Sequence, residues 1–263
     1  MKKAIILFFI TFFTVAFGQN QKLTATKIGF VPLDCDQFLE QDPFGYYYYI
    51  KDNVLFKSKE GESFEYKNIS LGKITKVDLI NPLTIVLFYE NFNTAVLLDN
   101  QLNEIQKINF SENKIPILVG AIGLSSQNKL WIYNNLTPQI GLFDFLQKEY
   151  KTVSIPFVKN LIKYQTDFNT FNWIDEENNW YMCDLFGKII FKGKIPTFDS
   201  VEITNENKYL FSRNNILIYV DIEKQLKFEI EISEKTFKKF HYKDQILSIF
   251  TFEGITNYKI TIP

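Results

Sequence analysis

Leu130-Trp-Ile-Tyr-Asn-Asn-Leu-Thr-Pro-Gln-Ile-Gly-Leu-Phe-Asp144 holds the plan of this chain in one stretch. An apolar and aromatic run, Leu130 to Tyr133, gives way to turn residues, and a second run closes on Leu142-Phe-Asp144. Short β-branched and aromatic runs broken by Asn, Gly and Pro read as strands and tight turns. The ending recurs as Leu97-Leu-Asp99 and Tyr219-Val-Asp221, at intervals of 45 and 77 residues from Asp99 to Asp144 to Asp221. The second interval is close to two units. Asp99 is followed by Glu104 and Ile108, and Asp144 by Glu149 and Val153, at matching offsets.

Working outward, the same kind of run appears in Tyr46 to Ile50, Ile85 to Tyr89, Asn215 to Val220 and Ile246 to Phe250. No segment keeps a helical period with caps; Leu33 to Leu39 and Phe145 to Tyr150 could hold one short helical turn each. The chain therefore reads as all-β. A strand-turn-strand unit repeating roughly every 40 residues is the signature of a β-propeller, whose blades are small antiparallel sheets around an axis. Third strands are expected to end near Lys57, Asp99, Asp144, Lys192, Asp221 and Ile260, which makes six blades of three to four strands. Lys22 to Val31 is expected to supply the last blade's missing outer strand, closing the ring and removing two open sheet edges. A seven-bladed or irregular ring and a pair of sandwiches are the competing arrangements.

On this repeat the chain resembles six-bladed propellers of the TolB-like and NHL-like kind, and the resemblance covers nearly all of residues 19–263. The Trp-Asp dipeptides of WD40 blades, the paired glycines of kelch blades and the Ser-x-Asp-x-Gly-x-Thr-Trp box of sialidase propellers are absent from the sequence.

Residues 1–18 read as a cleaved secretory signal. Lys2 and Lys3 precede an apolar run from Ala4 to Phe17, and Ala16-Phe17-Gly18 offers a small-x-small cleavage site before Gln19. The run is shorter than the roughly 20 residues that span a bilayer, and no second run reaches that length, so no membrane span is expected. The first cysteine, Cys35, lies too far from the cleavage site for lipidation there. A signal followed directly by glutamine resembles those of exported Bacteroidetes proteins, which implies a periplasmic address. Lacking an appended sorting domain, the chain reads as a resident of that compartment.

Composition excludes other classes. The sequence holds 29 basic and 30 acidic residues, and loss of Lys2 and Lys3 leaves 27 against 30. Arg213 is the sole arginine. Nucleic-acid affinity rests largely on cationic contacts to phosphate, and arginine is the usual forked donor, so no nucleic acid partner is expected. The two cysteines, Cys35 and Cys183, fall on opposite sides of a six-bladed ring, too far apart for a disulfide that needs Cα atoms within about 7 Å.

No catalytic set, cofactor motif or metal-ligand spacing emerges. His241 is the only histidine and, flanked by Phe240 and Tyr242, reads as an inter-blade or surface hydrogen bonder without an identifiable orienting partner. The acidic groups Asp34, Asp36, Glu40, Asp42 and Asp175-Glu-Glu177 lack the spacing of a calcium loop and read as solvated charges. The aspartates at strand ends read as turn caps. Alternate rings of Tyr46 to Tyr49 must face opposite sides of their strand, and Trp131, Trp173 and Trp180 read as packing between blades. Phe168, Phe171 and Trp173, in the long fourth unit, are the candidate partner-binding residues. The expected function is a non-enzymatic periplasmic scaffold or accessory subunit that binds envelope proteins, in outer-membrane protein assembly or type IX secretion. The alternative is a propeller enzyme or small-ligand binder with its site in the central channel.

Overall fold

A computed structural model describes residues 21–262. Those residues form six sheets, antiparallel but for one added parallel strand, arranged as the blades of a β-propeller. Blades 1 to 5 span residues 37–66, 76–109, 119–152, 161–194 and 200–231. Blade 6 takes three strands from residues 239–259 and its outer strand from Thr26–Pro32. Each blade's first strand faces the axis: Gln37–Gln41, Lys76–Asp78, Val119–Leu124, Leu161–Thr166, Ser200–Asn205 and Lys239–Lys243.

Six buried apolar clusters fill the six interfaces between neighbouring blades, in keeping with face-to-face packing of sheets whose two sides are both covered. The tyrosine run shows how the sequence serves this. Tyr46 and Tyr48 pack into the cluster shared with blade 2, while Tyr47 and Tyr49 pack into the one shared with blade 6. Both faces of that strand are therefore inter-blade faces. Trp131 and Trp173 fill the interface of blades 3 and 4, and Trp180 that of blades 4 and 5.

The third strands end at Lys59, Leu98, Asp144, Asp184, Asp221 and Lys259. In blade 4 the third strand is thus Asn179–Asp184, and Lys192 belongs to the fourth strand, Ile189–Lys194. This corrects the sequence expectation and makes the repeat more regular, with aspartates 99, 144, 184 and 221 at intervals of 45, 40 and 37. Each caps its own turn. Asp99 Oδ1 accepts from the Gln101 and Asn103 amides, Asp144 Oδ1 from Leu146 and Gln147, Asp184 Oδ1 from Phe186 and Lys188, and Asp221 Oδ1 from Lys224. The short helical turns fall at Glu90–Phe92 and Phe110–Glu112, not at the two expected segments.

The closing strand is two strands. Gln21–Thr24 runs parallel to the outer strand of blade 5, Leu226–Glu231, and Thr26–Pro32 runs antiparallel to Gly254–Lys259 of blade 6. The chain crosses between blades at Ala25, whose amide donates to Glu231 O. Both cysteines are free and buried, in different interfaces, Cys35 between blades 6 and 1 and Cys183 between blades 3 and 4. Among the described residues no helix is long and apolar enough to cross a membrane. The proposed signal, residues 1–18, lies outside the described residues.

Candidate functional site

The inner strands leave a central cavity of about 590 Å³ lined by blades 1, 2, 4, 5 and 6. Strand alternation turns successive side chains of an inner strand toward the two neighbouring blades, and both sets border the cavity, as Lys163, Tyr164 and Gln165 do. Blade 3 brings its inner strand close instead. A Cβ at Gly123 would collide with Thr166 Oγ1 of blade 4 and crowd Asp78 of blade 2, so only glycine lets the three inner strands converge there.

Most inward polar side chains stitch one blade to the next. Asp78 Oδ2 accepts from the Leu124 amide at 2.7 Å, and Tyr164 Oη accepts from the Ile122 amide at 3.2 Å. Gln165 engages both backbone groups of Ile203, donating to its carbonyl at 2.7 Å and accepting from its amide at 3.0 Å. Glu202 accepts from the Tyr242 amide through Oε2 and meets His241 Nδ1 through Oε1, both at 2.8 Å. Lys239 Nζ donates to Phe38 O at 2.9 Å, and Lys243 Nζ to Glu40 Oε1 at 3.0 Å. Except for the His241–Glu202 and Lys243–Glu40 pairs, these bonds satisfy backbone groups on the inner edges.

His241 therefore has the orienting partner that its sequence neighbours do not reveal. It sits between Glu202 and Glu40, with Nε2 3.8 Å from Glu40 Oε2. Burial pulls its pKa down, but the charge and hydrogen bond of Glu202 and the charge of Glu40 outweigh that and hold it above the usual 6.5. The folded state thus holds this proton more tightly than the unfolded chain. The resulting stabilisation is complete below about pH 6.5 and is lost as pH rises through the elevated folded value. Denaturant unfolding across that range is expected to show a steeper decline for the native sequence than for His241→Gln. The difference between the two isolates His241 from Lys239, whose depressed pKa acts in the opposite sense. Parallel stability curves would show that the imidazole carries no charge linkage.

Three lysines remain on the leading half of the inner strands. Lys76 stands over the Tyr164 ring, 4.8 Å from its centroid. Burial lowers the pKa of Lys76, and burial together with the charge of Lys76 lowers that of Lys163. Burial, joined by the like charges of Lys163 and Lys76, pulls Lys239 down to about 8. Burial pushes Asp78 up, against backbone hydrogen bonds from Ile80 and Leu124 and the charge of Lys76.

Among the described residues no group of three or more His, Cys, Asp and Glu is placed to hold a metal ion. Glu40 and Glu202 flank His241, but their oxygens are committed to Lys243 and the Tyr242 amide. The acidic clusters disperse in the same way. Asp34 pairs with Lys51 and Glu177 with Lys159, while Asp42 and Asp175 cap their own turns.

Of the three aromatics expected to bind a partner, Phe171 and Trp173 are interior, 0% and 4% exposed, in the interface of blades 3 and 4. Phe168, 38% exposed, alone reaches the surface, in the turn beyond Leu161–Thr166. Large exposed apolar side chains gather instead at the opposite end of that strand. Leu118, Leu136, Ile155 and Val158 lie on adjoining loops of blades 3 and 4, with Ile155 72% and Val158 94% exposed. Their loops are fixed. Asn134 Oδ1 accepts from the Leu118 and Leu136 amides, the Phe157 amide donates to Pro138 O at 2.7 Å, and the Phe157 ring stacks on Trp173 at 4.3 Å.

No protein-family model matches the sequence, and no curated protein is significantly similar to it. Solved structures share its fold. Virginiamycin B lyase from Staphylococcus aureus superposes with a TM-score of 0.56 at 16% identity, over 85% of this chain and 80% of its own. A streptogramin B lyase gives 0.56 at 13% identity, over 92% and 98%. A member of the DUF4221 family from Bacteroides vulgatus gives 0.56 at 10% identity, over 93% and 98%. At such identities the likeness is one of architecture, and the six-bladed propeller is established. Fold does not fix function, which lives in the site.

Proposed function

We propose that this protein is a non-enzymatic periplasmic scaffold or accessory subunit that docks other envelope proteins, with outer-membrane protein assembly and type IX secretion as the candidate settings. The observation that carries the reading is the apolar platform of Leu118, Leu136, Ile155 and Val158. Exposed apolar side chains carried on adjoining loops mark an interaction site more often than singly scattered ones do, and loops held by hydrogen bonds lose little freedom when a partner covers them. The leader read in residues 1–18 supports the exported address. Phe168, at the other end of the ring, is the residue of the expected aromatic set that remains available to a partner.

Crosslinking the tagged protein in its native cells, followed by mass spectrometry, tests the platform. A defined set of envelope proteins is expected with the native sequence and is expected to be lost from Ile155→Lys/Val158→Lys. Substitutions at such exposed positions cost the fold about 0.5 kcal/mol or less. Recovery of nothing above an exported tag alone, or equal recovery with the double variant, overturns the reading.

A further inference from the structure

We infer that the central cavity is a binding site for a zwitterionic small molecule, its carboxylate held by Lys76, Lys163 and Lys239 and its cationic end at the acidic rim. The inner strands run in one direction around the axis, so their leading halves share one level and their ends another. Lys76 and Lys239 begin their strands and Lys163 lies early in its own. Asp167, Glu206 and Asp244 follow the ends of the inner strands of blades 4, 5 and 6. All six line the same cavity.

The lysines are in excess of what the fold needs. Among the described residues none of the three lies within ion-pair distance of a carboxylate. Lys239 has two backbone carbonyls and Lys76 an aromatic face, while Lys163 has neither. The three like charges repel one another. Glu202 acts on all three from beyond ion-pair distance, with Asp78 at Lys76 and Glu40 at Lys239. An anion in direct contact with the ammonium groups relieves the repulsion further. Lysines are point-charge donors, which suits a carboxylate approached from three sides.

Between the two levels lie two further polar atoms. His241 Nε2 and Thr204 Oγ1 are shut off from solvent and have no hydrogen-bond partner among the described residues. Orphaned buried polar atoms cost stability; both residues line this cavity, Thr204 Oγ1 wholly unmet and His241 Nε2 facing Glu40 Oε2 only at 3.8 Å. The acidic rim decides the character of the other end. A ligand carrying carboxylates at both ends would set one of them against Glu206 and Asp244, and against the charge of Asp167, whose oxygens cap its own turn, whereas an ammonium there is attracted. Lys243 beside them is engaged by Glu40. None of the platform residues lines this cavity, so the two sites are tested independently.

6-Aminohexanoate is a suitable probe, with its charges on the order of 8 Å apart by bond lengths. Adipate matches its length with two carboxylates, and hexylamine keeps only the ammonium. Titration calorimetry on the purified protein is expected to show saturable binding of 6-aminohexanoate, with adipate and hexylamine each weaker by about tenfold or more. Lys163→Met, which removes no bond from the fold, is expected to weaken 6-aminohexanoate about tenfold, and Lys163→Arg to retain it. Absence of saturable binding overturns the proposal. So does adipate binding as tightly as the zwitterion, or affinity indifferent to Lys163→Met.

Discussion

Deleting residues 21–32 is expected to leave a chain that does not reach a cooperatively folded state. The loss removes both ladders of the closing segment, four register pairs to blade 5 and six to blade 6. At about 1 kcal/mol per backbone hydrogen bond, roughly 5–10 kcal/mol disappears, which rivals the 5–15 kcal/mol that holds a typical domain together. The damage is larger than the sum, because Gly254–Lys259 becomes an open edge, and five of its six residues are buried in the intact ring. An exposed apolar edge templates association between chains. The fit there is close as well. A Cβ at Gly254, where φ is +147°, would collide with Val31 O, so the closing strand is seated against a backbone that only glycine permits. Deleting residues 21–24 alone, which leaves blade 6 complete, is expected to cost less and to preserve cooperativity. Circular dichroism melts with sedimentation velocity separate the cases. A soluble, cooperatively melting chain lacking residues 21–32 would show that the ring closes without its latch.

The seam that this segment closes has the smallest apolar cluster of the six, with Cys35, Phe38, Phe250 and Ile255 buried between blades 6 and 1. Polar stitches gather there: Lys239 to Phe38 O, Lys243 to Glu40, and Asn257 to Gln41 and Tyr47. Covalent continuity from Thr26–Pro32 into the inner strand of blade 1 adds what the cluster lacks. Ring closure at this junction therefore rests more on strand pairing and directed bonds than on apolar burial.

The propeller and its six units were legible because the terminal aspartate repeats and has a local cause, a turn cap visible to the sequence alone. The fourth unit was misread because Ile189–Lys194 is as apolar at its start as a third strand, so alternation could not distinguish the two. Recognising Tyr-Met-Cys-Asp184 as the same ending as Leu142-Phe-Asp144 would have restored the spacing. The channel was less legible, since its residues come from five blades and no local motif joins them. A signal was nevertheless present. His241 and Glu202 are 39 residues apart, and Gln165 and Ile203 are 38 apart. One repeat length separates residues at equivalent levels of adjoining inner strands, so stepping back one unit from the only histidine lands on its partner. Burial was the quantity the sequence concealed at Phe171 and Trp173, because an aromatic in a longer unit looks the same whether it faces a loop or a neighbouring blade.

Trp180→Ala is expected to destabilise the fold by about 3–5 kcal/mol, the usual range for removing a fully buried large aromatic. Trp180 is 0% exposed in the interface of blades 4 and 5 and meets Tyr209 edge-on, with centroids 5.9 Å apart. Its indole Nε1 donates to Asn172 Oδ1 at 3.1 Å, a bond shut inside the protein. Truncation therefore opens a cavity and orphans the Asn172 carbonyl, two penalties that compound. Trp180→Phe keeps most of the volume and loses the donor, so it should recover part of the loss. Phe191→Ala, in the outermost strand of blade 4 and 58% exposed, is the control and should stay within about 0.5 kcal/mol of the native sequence. Denaturant midpoints at constant slope measure all three. A loss below about 1 kcal/mol for Trp180→Ala would mean that the interface of blades 4 and 5 collapses to fill the space, and that these blades move as semi-independent sheets. A loss in the expected range ties them into one rigid wall of the channel, which is what holds Gln165 of blade 4 against Ile203 of blade 5.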